Sequence, residues 1–73
     1  MSLQTIIFPK KSYTLSQARE WLKVNNYKYG KVDERKNTYR FRQRKPVYPA
    51  RYYTKKLDND IDLVFFEVPK YWS

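Results

Sequence analysis

Arg40, Arg42 and Arg44 stand at every second position of Tyr39-Arg40-Phe41-Arg42-Gln43-Arg44. A strand sends successive side chains to opposite faces. Extended chain here lines three guanidiniums along one face, about 6.6 Å apart at strand rise. Tyr39, Phe41 and Gln43 then line the other. Guanidinium stays charged, and its planar fork matches phosphate oxygens. The interval is close to the phosphate repeat of a single nucleic-acid strand, and such contacts are independent of sequence and sensitive to salt. The chemistry expected of this row is therefore the binding of a polyanion. Lys31, Lys45 and Arg51 are expected to assist. Tyr39 and Tyr52 are candidates for base stacking, although clean alternation points Tyr39 away from the arginines. Tyr48 and Tyr53, beside the same basic stretch, are further candidates.

Other chemistry finds little support. The chain has no cysteine and no histidine. Zinc sites of the usual kind, cysteine nucleophiles and Ser/His pairs are thereby excluded. Asp58, Asp60 and Asp62 alternate, but a calcium loop needs further oxygen ligands and a glycine at set spacing. They read as turn residues, as do Asp33 and Glu34. No nucleophile stands beside a base. No catalytic residue, metal or cofactor is expected.

The chain has 73 residues, with 16 Lys and Arg against 7 Asp and Glu, and a formal net charge of +9. The excess is concentrated in residues 10–57, whereas 58–73 are acidic on balance. That asymmetry points to a polyanionic partner. The competing reading is a solvated basic face whose arginines pair with Asp33, Glu34 or the late acidic residues. A chain of this length forms one domain of modest core, so residues 1–73 are taken as one unit. No apolar run reaches the length of a membrane span, and no secretory leader is apparent. No membrane partner is expected, and the expected location is intracellular.

The elements that must position the row follow from periodicity and punctuation. Residues 3–8 read as a strand ended by Pro9. Thr14 reads as a helix N-cap completed by Gln17 in a capping box, with Tyr13 stapling onto Ala18. The helix runs over 15–24, its apolar stripe being Leu15, Ala18, Trp21, Leu22 and Val24, and Asn25-Asn26 stops it. Tyr27-Lys28-Tyr29 is extended. Gly30, the one glycine, is expected at positive φ or in a bulge. Residues 31–44 read as a hairpin turning at 35–37. Residues 45–50 contain Pro46 and Pro49 and read as a loop. Strands follow over 52–57 and 61–68, joined by a turn at 58–60, the last strand being the most apolar and expected at the centre. Pro69 stops it. The order β-α-β-β-β-β predicts an α+β domain: one helix packed on a largely antiparallel sheet of four to five strands. Aromatic residues make up 19% of the chain. Trp21, Phe41, Phe65 and Phe66 are expected in the core. The helix can cover one face only, which leaves the other for arginines.

Three segments carry a resemblance. Ala18-x-x-Trp21-Leu22-Lys23, then Tyr27-Lys28-Tyr29-Gly30-Lys31-Val32-Asp33-Glu34, then Tyr39-Arg40-Phe41-Arg42-Gln43 resemble a small uncharacterised domain of tailed phages and large DNA viruses. In phages it accompanies prohead proteases and other head-morphogenesis proteins. In large DNA viruses it forms short proteins. The likeness continues through Arg51-Tyr52-Tyr53-Thr54 and Ile61-Asp62-Leu63-Val64, covering residues 14–64. The chain departs from the pattern where Asn59-Asp60 replaces an expected glycine and where Phe65-Phe66 is heavier. The resemblance implies a viral setting, host cytoplasm or virion, and carries no assigned activity.

Two function classes follow as expectations. One is a basic viral accessory protein binding nucleic acid, or another polyanion, without sequence specificity. The other is a protein-interaction module of virion assembly that takes an acidic viral partner. Pairing of edge strands between copies would in addition make a homodimer.

Overall fold

The computed structural model describes residues 2–45 and 50–67. Five strands and one helix follow in the order β1 (Ser2–Pro9), α1 (Leu15–Val24), β2 (Asp33–Glu34), β3 (Thr38–Arg42), β4 (Arg51–Lys56) and β5 (Asp62–Glu67). All pairings are antiparallel, and the sheet order is β2-β3-β1-β5-β4. This is the expected α+β arrangement, with five strands.

The helix is built by local rules. Thr14 Oγ1 accepts from the Gln17 N–H, and Gln17 Oε1 accepts from the Thr14 N–H, closing the capping box. At the other end Asn26 takes φ 64°. The Tyr27 N–H donates to the Leu22 carbonyl at 2.8 Å and the Asn26 N–H to Lys23 at 3.2 Å. These are the two bonds of a Schellman termination, with asparagine in the place usually held by glycine. Its apolar contact is present too, because Tyr27 stacks on Trp21 with ring centroids 5.9 Å apart and planes at 11°.

Ala18 and Leu22 of the helix join Ile6, Phe8, Phe41, Ile61 and Leu63 in the core. Phe8 is its aromatic hub, edge-on to Tyr13, Trp21 and Phe41 at 5.3, 5.7 and 5.7 Å. Edge-to-face contact suits ring quadrupoles. Period two puts Tyr39 and Phe41 on this side, so Arg40 and Arg42 fall on the face away from the helix. In register across that face, Arg42 meets Thr5 and then Val64, while Arg40 meets Ile7 and then Asp62.

The last strand, β5, is interior as expected, between β1 and β4, and β1 holds the middle of the five. Four expectations need correction. Val24 is exposed and does not extend the covered stripe of α1. Pro9 lies within β1 as its last residue, a place where a missing donor is tolerated. Gly30 has no positive φ and no atom near its missing Cβ; the left-handed positions are Asn26 and Asp60 at 64° and 69°. Phe66 is buried, but on the face away from the helix, where Tyr52 tilts against it at 6.4 Å. The proline loop at 46–49, with Tyr48, and the end of the last strand and tail at 68–73 lie outside the described residues.

Candidate functional site

The β2–β3 ladder is two residue pairs long, Asp33 with Arg40 and Glu34 with Tyr39. Continued in that register, it would set Lys31 directly opposite Arg42. Like charges facing across a ladder are destabilising, and the two chains diverge there instead. Between them opens a groove of about 820 Å³. Segment 28–33 forms one wall; Arg40, Arg42, Gln43, Arg44 and Lys45 form the other, with Gln4 and Thr5 at the base.

Two buried glutamines build this split. The Gln43 side chain accepts from the Lys28 N–H at 2.8 Å and donates to the Lys28 carbonyl at 2.9 Å and to the Phe41 carbonyl at 3.3 Å. It replaces the missing ladder bonds with side-chain ones and pins the far wall. Gln4 holds the near wall. Its backbone carbonyl accepts from the N–H groups of Gln43 and Arg44 at 2.7 and 3.3 Å, and its Nε2 donates to the Arg44 carbonyl at 3.2 Å. Its Oε1 accepts from the Thr5 hydroxyl. Both glutamines are more than nine-tenths buried, where a polar group needs such partners.

This double acceptance ends β3 at Arg42. Arg44 therefore stands past the strand, and the regular row of three expected from alternation is a pair, Arg40 and Arg42, followed by a displaced third. All three line the groove nonetheless, as do Lys31 and Lys45. Lys28 and Arg35 are cations of the groove that sequence reasoning left out. Gln4 and Gln43 were missed as builders. The available signal was a glutamine continuing the core-facing series Tyr39, Phe41.

Two expected site residues lie elsewhere. Arg51 and Tyr52 belong to β4, separated from β3 by β1 and β5, roughly 14 Å at ordinary strand spacing. Tyr52 shares the face of Arg40 and Arg42. Arg51 alternates onto the other side, in register with Glu67. Tyr39 is half-buried on the helix side, with the Lys10 ammonium 5.1 Å from its ring centre.

The acidic residues near the groove are already engaged. Asp33 takes a forked hydrogen bond from Arg35, with 2.9 Å from Nη2 and 3.1 Å from Nε. That bond, opposed by desolvation and helped by the charges of Arg35, Arg40 and Arg42, holds the Asp33 carboxyl below the usual carboxylate range. The Arg35 guanidinium is raised by the same contact. Glu34 pairs with Lys10 at 2.7 Å. Among the described residues Arg40, Arg42, Arg44, Lys28, Lys31 and Lys45 enter no ion pair.

Comparison with protein-family models, with curated proteins and with solved structures finds no match to this chain.

Proposed function

We propose that the groove binds nucleic acid without sequence specificity, as the phosphate site of a small accessory protein. One observation supports this above others: six cationic side chains line one groove and find no carboxylate partner among the described residues. The competing view, a solvated face of paired charges, needs Asp33, Glu34 or the late acidic residues for the arginines. Arg35 and Lys10 hold the first two, and among the described residues the late acidic ones enter no ion pair. A polyanion supplies the missing counter-charge and releases its own condensed cations as it binds. A viral setting rests on the resemblance of residues 14–64.

The test is binding of labelled oligonucleotides between about 50 and 200 mM salt. The expected result is an affinity that falls steeply and linearly on logarithmic axes. The Arg40→Ala/Arg42→Ala/Arg44→Ala variant is expected to lower the slope by about 2 for a single strand, three lost contacts at about 0.7 each. Binding that ignores salt, or ignores this variant, refutes the proposal. A second reading is an acidic protein partner. It draws on β4, the outermost strand of the described sheet, whose six residues are all exposed; an edge strand can accept an added strand.

A further inference from the structure

We infer that the groove takes single-stranded nucleic acid in particular, with Tyr29 as the platform on which a base stacks. The inference rests on the polyanion reading of the groove and adds the class of strand. Tyr29 is the one aromatic residue among those lining the groove. It is 42% exposed, and it enters no ring contact or side-chain hydrogen bond among the described residues. Tyr29 also lies beside Leu15, Arg19 and Lys23 of α1, and its exposed part is apolar area that a ligand can cover.

Its placement is fixed on both sides. Tyr27 is stacked on Trp21, Lys28 is clamped by Gln43, and Asp33 is laddered to Arg40. Tyr29, Gly30 and Lys31 form the exposed stretch between these pins. Gly30 has nothing within 4 Å of the position a Cβ would take, so the backbone next to Tyr29 is uncrowded. The opposite wall carries Arg42, Arg44 and Lys45. A positive track facing an accessible ring is the arrangement by which single strands are held: backbone along the charges, base on the ring. A duplex keeps its bases stacked inside and offers the ring nothing. The groove, of about 820 Å³ and open to solvent, is of a size found among ligand sites.

The experiment compares a short oligothymidylate, an abasic oligomer of equal length and a duplex, each with the unaltered protein, Tyr29→Ala, Tyr29→Phe and the triple arginine variant. The unaltered protein is expected to bind oligothymidylate about tenfold or more tighter than the abasic oligomer, in keeping with alanine substitutions at stacking positions. Tyr29→Ala is expected to lose that preference, and Tyr29→Phe to keep it. Stacking involves no counterion, so Tyr29→Ala is expected to shift the salt plot without changing its slope, whereas the arginine variant flattens it. If Tyr29→Ala binds oligothymidylate as the unaltered protein does, or the duplex binds as tightly as the single strand, the inference is overturned while the polyanion reading stands. If no probe binds with a salt slope, both fall. Oligouridylate, run alongside, distinguishes RNA from DNA as the natural strand.

Discussion

Gln43 is the side chain on which the groove most depends. It satisfies both backbone groups of Lys28 and also reaches Phe41. A net worth of about 1 kcal/mol per hydrogen bond makes Gln43→Ala a loss of about 2–3 kcal/mol, much of a small domain's margin. The local signature is sharper than the global one. Hydrogen exchange at the Lys28 amide is expected to accelerate in Gln43→Ala well beyond the change at Ile6 in the sheet centre. Equal acceleration at both sites would mean that Gln43 only stabilises the whole and does not hold the wall. Position 43 was legible as core-facing from its alternation with Tyr39 and Phe41. Its role was not, because a glutamine's partners depend on which chain the fold brings opposite.

At the scale of elements, α1 was readable to the residue. Its signals are local: Thr14 and Gln17 cap each other, and Asn25-Asn26 ends the apolar stripe. The ending makes a prediction. Asn26 sits at φ 64°, which glycine adopts without a Cβ penalty. Asn26→Gly is expected to stabilise by about 0.5 kcal/mol and to raise the melting temperature by about 2–4 °C for this size. Asn26→Ala is expected to lower it. A glycine variant that melts lower than the parent would contradict the Schellman ending. The strands were readable as elements, but their order was not. Apolar content marked 61–68 as interior, which it is, but that β1 lies beside it in the middle depends on which faces and edges find cover. The groove was hidden for a related reason. A ladder continued past Asp33 and Arg40 would set Lys31 against Arg42, and register joins positions that no local pattern connects.

Over the whole molecule, the asymmetry of charge along the chain becomes a groove whose nearest carboxylate is neutralised from within. The Asp33–Arg35 pair tempers that field. Asp33→Asn removes one negative charge and releases Arg35, so it is expected to tighten oligonucleotide binding and steepen its salt dependence. The pair is exposed, so little change in melting temperature is expected. The pH dependence has a defined sense. The folded-state pKa of Asp33 lies below its unfolded value, so the stability it contributes is present at neutral pH and is lost as pH falls through the lowered value. Binding is expected to strengthen over the same acid interval in the parent and not in Asp33→Asn. Titration of affinity against pH for both proteins checks this, and matching profiles would exclude Asp33 as the moderating group.

The central place of β1 also has a consequence for how the chain acquires its shape. Its two neighbours, β3 and β5, come from far along the chain, whereas β2–β3 and β4–β5 are local hairpins. Distant pairing is slow to form because loop closure precedes its reward. The earliest of the five strands in chain order is thus the last to be fully paired. Ile6, Ile7 and Phe8 wait for two ribbons to arrive from either side, and only when the β3 ribbon has docked does the Gln4 backbone close the base of the groove.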